Sequence, residues 1–368
     1  MAYTEQEKYW IWMASMPEIG PKAFYYILKE FGDAGAFFDA VKTGGPLESI
    51  SADAARAAKS SCSEQRVAEI ISELSAKNIA AVTRLSGEYP ERLAGISFPP
   101  PVLFVKGTLS GAFDIDMPLD AISIVGTRRC TRKGFELARQ IAKDLSEAGV
   151  AVVSGMARGI DTAAHSGALE AGGKTIAVLG CGVDVIYPPE SDDIYYKTAE
   201  NGAVVSELPP GTQPLAANFP VRNRIIAGLS KGTLVVESET EGGTAITASM
   251  AVAMGRDVFA VPGPPYLNTA SLSNMLIKQG ACLAGGADDI LKFYGLGGKK
   301  AGAAVEDAKH IQLDFLQRQI YNLLLQGDTS VESIALSIKY PQSEINSALT
   351  LMELGGLIKR LPGGKYGI

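Results

Sequence analysis

The sequence predicts an α/β protein built around a doubly wound, mainly parallel sheet, with a helical N-terminal domain and a winged-helix-like C-terminal domain. Three observations support this fold class. Short runs of Val, Ile and Leu alternate with helical segments between residues 100 and 290, residues 1–85 show only helical periodicity, and residues 311–368 contain three helical segments followed by two short strands. Continuous apolar runs are typical of strands buried on both faces, as in a parallel sheet. Their alternation with helices predicts a Rossmann-like central domain.

The first predicted domain, residues 1–85, is helical. Apolar residues recur at helical spacing in YWIWMASM and AFYYILKEFG, and Gly20-Pro21 between them ends one helix and begins the next. Such a pair resembles a SAM-like or helix-hairpin-helix module that binds the DNA backbone, but we favour a small helical bundle whose role is packing. No segment before residue 85 has a convincing strand pattern, so we expect none there.

The second predicted domain, residues 86–295, holds the sheet. Its apolar runs predict strands at residues 101–107, 121–126, 151–155, 175–180, 203–208, 233–238 and 257–263. Segments of helical periodicity between these runs predict helices over Lys133–Ala148, Ile160–Ala171, Asn218–Leu229 and Thr244–Met254.

Residues 296–310 are small, Gly-rich and polar, which predicts a flexible linker. Residues 311–368 then form the winged-helix-like domain, with three helices and a terminal hairpin. Its third helix contains no Lys or Arg between Lys339 and Lys359. A helix that reads a DNA groove normally carries some cationic residues. We therefore favour a protein-contact or regulatory role for this domain over duplex DNA binding.

Composition limits the function classes. With 34 Lys and Arg against 40 Asp and Glu, the formal net charge of −6 excludes a protein coated in basic surface, so any nucleic-acid site must be a local patch. The four cysteines lie far apart without a CxxC pair, so we expect neither a zinc site nor a disulfide framework. The N-terminus lacks a signal-peptide pattern, and the longest uncharged stretch, residues 258–277, is interrupted by prolines. We expect a cytoplasmic protein without membrane association.

The strongest candidate site is the segment SIVGTRRCTRKG, residues 123–134, which reads as a strand, a turn and a helix start. Backbone N–H groups at such a turn point outward at the carboxyl end of the strand, where they and the helix dipole favour an anion. Guanidinium groups add bidentate phosphate contacts. A solvated basic loop is the less favoured alternative. The predicted phosphate-binding residues are Gly126, Thr127, Arg128 and Arg129, with additional charge from Arg132 and Lys133.

Two further segments carry candidate residues. In SGMARGIDTAAHSGAL, Arg158 is a candidate cation, and Asp161 and His165 lie on one helical face. We favour a structural role for His165, because no nucleophile motif such as GxSxG accompanies this pair. In NFPVRNRIIAGLS, Phe219 suits stacking on a base, while Arg222 and Arg224 suit phosphate contacts. An aromatic anchor in the core with salt-bridged arginines is an equally weighted alternative for that segment.

The segment ESETEGGTAITASMA contains a second glycine turn before a helix, and its candidate anion-binding residues are Gly242, Gly243 and Thr244. Several signatures are absent from the sequence. It contains no GxxxxGK[ST], no complete GxGxxG after a strand and no HExxH. We therefore expect no nucleotide cofactor and no metal.

Five strings in this sequence are specific enough to identify a family: IVGTRR, SGMARGIDTAAHSGALEAGGKTIAVLGCGVDVIYPPE, FPVRNRIIAGL, VFAVPG and NMLIKQGA. They resemble the DNA-processing protein A (DprA/Smf) family over residues 89–291. The resemblance implies a cytoplasmic homodimer, not an enzyme, that binds single-stranded DNA and loads RecA recombinase onto it during DNA processing and natural transformation. It also implies that Arg128 contacts DNA and that Phe219 stacks on a base, with Arg222 and Arg224 nearby.

The sequence departs from the family pattern at two places. Ala216 stands where the family often has lysine, and the glycine turn is GGTAIT where the family commonly has SGSLIT. The alternative function is a nucleotide-acting enzyme of the lysine-decarboxylase-like type, which includes phosphoribohydrolases. The P-G-G-x-G-T-x-x-E loop of that family has no full match here.

Overall fold

The structure is a computed structural model, and it describes residues 3–47, 50–114, 117–296, 315–324, 327, 329–338, 340–354, 357–361 and 365–367. The chain divides into two compact units, residues 1–299 and residues 300–368. The predicted linker, residues 296–310, lies outside the described residues apart from Leu296.

The first unit is built on one mixed sheet. Its strands are β1 (Ala80–Thr83), β2 (Val102–Gly107), β3 (Ala121–Val125), β4 (Ala151–Ser154), β5 (Thr175–Val178), β6 (Ala203–Ser206), β7 (Gly232–Val235), β8 (Asp257–Ala260) and β9 (Cys282–Leu283). Their spatial order is β1-β2-β6-β5-β4-β3-β7-β8-β9. All neighbours from β6 to β9 pair in parallel, whereas β2 is antiparallel to both β1 and β6. The predicted Rossmann-like, mainly parallel sheet is confirmed.

Helices cover both faces of the sheet. Alternate residues of β3 show this: Ile122 and Ile124 pack with one group of helices, and Ala121 and Val125 pack with the other. The helices of the first unit are α1 (Glu5–Ala14), α2 (Pro21–Phe31), α3 (Ala34–Thr43), α4 (Ala52–Ser61), α5 (Glu64–Ala76), α6 (Glu91–Ala94), α7 (Arg132–Glu147), α8 (Ile160–Glu170), α9 (Asp192–Asn201), α10 (Asn218–Leu229), α11 (Gly243–Ala253), α12 (Ser271–Lys278) and α13 (Ala287–Phe293). Among the described residues, no helix has the length and apolar character that crossing a membrane requires.

The N-terminal helices share a core with the sheet. Trp12, Phe24 and Phe38 are fully buried in one apolar cluster that also contains Phe104 of β2 and Val204 of β6. α2 begins at Pro21, as the sequence predicts, because proline suits the first helical position. These buried aromatic residues therefore pack the N-terminal helices against the sheet within the first unit.

The expectation that no strand precedes residue 85 is wrong, because β1 occupies Ala80–Thr83 and pairs with β2. Two alanines give this segment a weak strand propensity. Tertiary contacts compensate for it: the Tyr3 hydroxyl accepts a hydrogen bond from the Ala81 amide at 2.9 Å, and Thr83 donates to Glu7 at 3.1 Å. The strand thus forms where helix α1 and its N-terminal flank hold it against the sheet.

The second unit contains α14 (Phe315–Leu324), β10 (Thr329–Ser330), α15 (Val331–Ile338), α16 (Gln342–Leu354), β11 (Lys359–Leu361) and β12 (Lys365–Gly367). β11 and β12 form the predicted terminal hairpin, and β10 pairs with the other edge of β12. Its core contains Ile320, Ile345, Leu349 and Tyr366. Three helices followed by this hairpin confirm the winged-helix-like prediction.

Candidate nucleic-acid interface

An open cleft of about 650 Å³ lies at the carboxyl edge of the sheet, where the turns after β3 to β7 meet the first residues of α10 and α11. Ligands of doubly wound sheets bind at this edge, because the strand ends leave a crevice between the turns. Arg158 and Arg224 are not among the lining residues of this cleft. The other residues predicted from the sequence line it: Gly126, Thr127, Arg128, Arg129, Phe219, Arg222, Gly242, Gly243 and Thr244.

Arg128 and Phe219 lie together in the cleft. The guanidinium carbon of Arg128 is 5.3 Å from the centre of the Phe219 ring, within the range of a cation–π contact. Arg128 is exposed and Phe219 is half-buried. The ring rests close to Gly180, where an added Cβ would come within 2.9 Å of Phe219 Cδ1. The Gly180-Cys181-Gly182 sequence thus makes room for the aromatic side chain.

Glu237, which the sequence analysis did not select, holds the turn that carries Arg128. Its carboxylate accepts hydrogen bonds from the Thr131 amide at 2.8 Å and the Thr131 hydroxyl at 2.6 Å, and its carbonyl accepts one from the Thr127 amide at 2.6 Å. Glu237 is only 9% exposed. Thr131 in turn caps α7 through a hydrogen bond from the Gly134 amide. The start of α7 therefore already contains a carboxylate.

The predicted phosphate site at the backbone N–H groups of the turn after β3 stays a prediction, and Glu237 limits the space for it. A phosphate at the start of α7 would meet the negative charge of Glu237, and the Thr127 amide is already bonded. Gly126 shapes the turn, because a Cβ there would clash with Ile160 and with the Glu237 carbonyl. No sequence pattern marks Glu237 as the partner of this turn, since it lies more than a hundred residues further along the chain at the end of β7.

Arg222 is buried, whereas the sequence predicts a side chain that meets phosphate. It is 5% exposed and lies in the cleft floor. Its Nη1 donates to the carbonyls of Gly155 (2.8 Å) and Val178, which follow or end β4 and β5, and its Nε donates to Asn223 Oδ1 at 3.2 Å. Burial lowers the pKa of Arg222 to about 10, so it remains a cation at neutral pH. Three of its five N–H donors are used within the protein, and its guanidinium carbon lies 5.7 Å from the centre of the Phe219 ring, so its position supports Phe219.

Arg224 and Arg158 are occupied elsewhere. Arg224 donates to both carboxylate oxygens of Glu207, at 2.9 and 2.6 Å, and both side chains are largely buried. Arg158 pairs with Glu190 on the exposed surface. The phosphate contact of Arg224 stays a prediction, and it would require the guanidinium to exchange Glu207 for phosphate outside the cleft lining. The exposed pair of Arg158 is weak, but it also lies outside the cleft lining.

The start of α11 differs from the start of α7. Gly242 is its N-cap, with a φ of 133° that favours glycine, and it provides no side-chain hydrogen bond to the helix. Asn223 Nδ2 and Thr247 Oγ1 both donate to the Gly243 carbonyl, which fixes the turn. The first-turn N–H groups of α11 therefore lack a side-chain acceptor. Gly242, Gly243 and Thr244 remain the candidate backbone anion site of this cleft.

The cleft also contains three acidic side chains, of which Glu239 and Glu241 were not predicted from the sequence. Glu239 and Glu241 line it and are exposed. Asp161 lines its floor, and burial raises the pKa of this carboxyl to about 6 although the charge of Arg222 opposes the shift. The two glutamates directly precede the candidate anion site in the sequence ESETEGGT, so the sequence itself carries a signal for them. The cleft therefore combines the cations of Arg128 and Arg129 with opposing carboxylates.

His165 is fully buried and takes no part in the cleft. The Thr175 hydroxyl donates to the Val152 carbonyl at 2.9 Å, so it accepts a hydrogen bond from His165 Nδ1 at 2.8 Å. Burial lowers the pKa of His165 to about 3, so the ring is neutral. These contacts support the structural role expected for it. Among the described residues, no group of three or more His, Cys, Asp or Glu could hold a metal ion.

Comparison with known proteins gives a family match over most of the chain. Residues 80–295 match the family model described as DNA recombination-mediator protein A, and residues 305–364 match that of the DprA winged helix domain. Protein Smf of Synechocystis is 41% identical over 213 residues, which are 58% of this chain. The match spans about half of that relative's length, 53%.

Two solved structures are similar to the chain. DNA processing protein A from Streptococcus pneumoniae superposes with a TM-score of 0.66 and 31% identity, covering 79% of this chain and 98% of that one. DNA processing protein A from Helicobacter pylori superposes with a TM-score of 0.52 and 26% identity, covering 58% of this chain and 94% of that one. The second is described as a study of a single-stranded DNA binding mode.

Proposed function

Because the chain belongs to the DNA recombination-mediator protein A family, we propose that it binds single-stranded DNA in the cleft at the carboxyl edge of its sheet. One observation carries this proposal: an exposed guanidinium, Arg128, lies 5.3 Å from the half-buried aromatic ring of Phe219 in an open cleft. Sites for single strands combine cations that track phosphates with aromatic rings that stack on bases. The Helicobacter relative, described as binding single-stranded DNA, is consistent with the same ligand class.

In the proposed mode of binding, a base stacks on Phe219 while an adjacent phosphate meets Arg128. Arg129, which is exposed and lines the cleft, contributes a second cation, and the uncapped start of α11 contributes backbone N–H groups. Duplex DNA is disfavoured, because its base faces are already stacked on one another and cannot reach the ring. Glu239 and Glu241 reduce the local positive charge, so the affinity depends more on stacking than in a purely basic groove.

Ala216 lines the same cleft, and its position is one at which the DprA/Smf family often has lysine. We propose that this chain lacks that phosphate contact and relies on Arg129 as the neighbouring cation. Its affinity for single strands is then lower than that of a relative with the lysine. An Ala216→Lys variant with tighter binding and a steeper salt dependence supports this account, and unchanged binding contradicts it.

We propose that the chain acts by binding and not by catalysis. The buried Asp161 and His165 do not form a reactive pair with a nucleophile, since His165 is bonded to Thr175 and its pKa is held well below neutrality by burial. In many nucleotide-binding α/β folds the first βα turn receives a phosphate. Here Glu237 occupies the equivalent helix start, so the nucleotide-acting enzyme is not favoured.

The binding proposal is tested by fluorescence anisotropy with the full chain and a labelled oligothymidylate longer than the about 4–16 nucleotides that one single-strand-binding fold covers. We expect Phe219→Leu to weaken binding about 5- to 150-fold, because stacking contributes about 1–3 kcal/mol per base. Phe135→Leu, which alters a half-buried aromatic on α7 outside the cleft, is the matched control. Equal affinity for the duplex, or no effect of Phe219→Leu, contradicts the proposal. Release of base from nucleoside monophosphates supports the enzyme.

We further propose that the chain loads RecA recombinase onto single-stranded DNA and acts as a homodimer in the cytoplasm during DNA processing and natural transformation. The family match supports this role. RecA filament assembly on DNA coated with single-strand-binding protein provides the test, and we expect faster assembly with the full chain. Sedimentation equilibrium tests the dimer. Unchanged filament kinetics contradict the loading role without affecting the binding proposal.

We propose that the three domains predicted from the sequence have different roles. Residues 86–295 bind DNA, residues 1–85 pack against the sheet, and residues 311–368 contact a protein partner. The recognition helix position of the second unit, α16, contains Glu344 and Glu353 and no Lys or Arg, which supports a protein partner over duplex DNA. Removal of residues 311–368 should leave oligonucleotide affinity unchanged, and a large loss of affinity contradicts this division.

A further inference from the structure

We propose that Tyr187 is a second base-binding side chain, and that it and Phe219 give the cleft separate stacking surfaces for two consecutive bases. This inference rests on the proposed function. Tyr187 lies on the turn after β5 and lines the same cleft as Phe219. Their ring centres are 5.6 Å apart, and the ring planes are tilted by 47°. Both rings are half-buried, so each is anchored in the protein and keeps an open part.

The distance between the rings decides how bases can bind. Stacked aromatic atoms lie about 3.5–4 Å apart, so a base inserted between two rings needs about 7 Å between them. The 5.6 Å separation of the ring centres is too short for such a sandwich. A base must therefore stack on an outer face of one ring, and the second ring has room for a different base.

The turn that carries Tyr187 is fixed before any ligand arrives. Val185 donates its amide to the Gly182 carbonyl at 2.9 Å, and Tyr195 donates its hydroxyl to the Val183 carbonyl. Asp184 accepts hydrogen bonds from Lys77 Nζ at 2.7 Å and from the Gly211 amide at 2.6 Å. A surface that is already ordered loses little conformational entropy when a base binds.

The two rings offer stacking surfaces and no base-specific hydrogen bond. Asn223 in the cleft floor beside them is held in place, because its Oδ1 accepts from Arg222 and one Nδ2 hydrogen is donated to the Gly243 carbonyl. Stacking is tolerant of sequence, since every base has an aromatic face. With two adjacent rings, the affinity should therefore depend on how many bases are stacked and little on which bases they are.

The test uses the full chain and short oligonucleotides made of abasic nucleotides that carry zero, one or two adjacent thymines. For the wild type, we expect the affinity to rise about 5- to 150-fold with the first thymine and again with the second. Tyr187→Ala should keep the first gain and remove the second, and Tyr187→Phe should keep both. Tyr196→Ala, a change at a 53% exposed tyrosine on α9, is the matched control and should behave as the wild type.

Three outcomes overturn the inference. If Tyr187→Ala retains both gains, Tyr187 does not bind a base. If Tyr187→Ala loses both gains while its circular-dichroism spectrum equals that of the wild type, Tyr187 only supports Phe219 and does not bind a second base. If the wild type gains nothing from either thymine, stacking itself is absent and the proposed function fails as well.

Discussion

Replacement of Arg128 by alanine tests whether a guanidinium in the cleft holds phosphate. Arg128 is exposed, and its guanidinium carbon lies 5.3 Å from the Phe219 ring. In the free protein this contact partly covers the ring on which a base would stack. The variant therefore loses a phosphate contact but no longer has to give up a cation–π contact when DNA binds.

The two effects have opposite signs and can be compared. A hydrogen bond to a charged group contributes about 1.5–3 kcal/mol. A cation–π contact at an exposed site contributes about 0.5–1 kcal/mol. The net loss is about 1–2 kcal/mol, which corresponds to an affinity lower by about 5- to 30-fold. Loss of one phosphate contact should also reduce the steepness of the plot of log affinity against log salt concentration by about 0.7 for a single strand.

The assay is an anisotropy titration of a labelled oligothymidylate at several salt concentrations. Arg56→Ala removes the same charge from an exposed position on α4, where Arg56 pairs only with Asp53, and serves as the control. Affinity within about twofold of the wild type, with an unchanged slope, would refute the assignment of Arg128. An equal effect of Arg56→Ala would show that net charge and not the cleft contact determines affinity.

Three further predictions follow from neighbouring residues. Glu237→Ala removes the carboxylate that accepts two hydrogen bonds at the start of α7, and we expect the free energy of unfolding in urea to fall by about 2–4 kcal/mol; stability equal to that of the wild type would contradict this. Burial raises the pKa of Asp161 to about 6, above the about 3.9 of an unfolded aspartate, so the folded state binds more protons between these values and Asp161 costs stability as pH rises. Asp161→Asn removes that cost. As pH rises from 4 to 7, the free energy of unfolding of the variant should increase by about 3 kcal/mol relative to that of the wild type, as measured by urea titrations at each pH. Curves of unfolding free energy against pH that run parallel for the two proteins would exclude a raised pKa of Asp161. Glu239→Gln combined with Glu241→Gln should tighten oligothymidylate binding about 2- to 4-fold at low salt and have no effect near 1 M salt, because screening removes the repulsion of phosphate; weaker binding would mean that these carboxylates contact the bases.

The sequence predicts the seven central strands and the helices that begin at the carboxyl edge of the sheet. The predicted helix Asn218–Leu229 coincides with α10, and each of the seven predicted strands overlaps an observed one. β1 and β9 were not predicted, because an alanine-rich segment and a two-residue strand carry almost no strand signal. These edge strands form through contacts with the sheet and helices, which local periodicity does not encode.

The sequence was less informative about which cations are free. Arg128 and Arg222 both occur near other arginines in segments that contain glycine or proline. The sequence alone therefore does not distinguish the exposed arginine from the buried one. Their environments differ because the partners of Arg222, the carbonyls of Gly155 and Val178, lie 67 and 44 residues away along the chain. Burial and hydrogen bonding from distant turns therefore decide which arginine can meet a ligand.

The carboxylate of Glu237 has a consequence for selectivity inside a cell. It is attached to the chain, so its local concentration at the start of α7 far exceeds the concentration of any free phosphate compound. Metabolites such as ATP cannot displace it without leaving a buried acid unpaired. Mononucleotides are therefore disfavoured at this turn, whereas the single-stranded DNA that we propose as the ligand would gain affinity from several contacts at once.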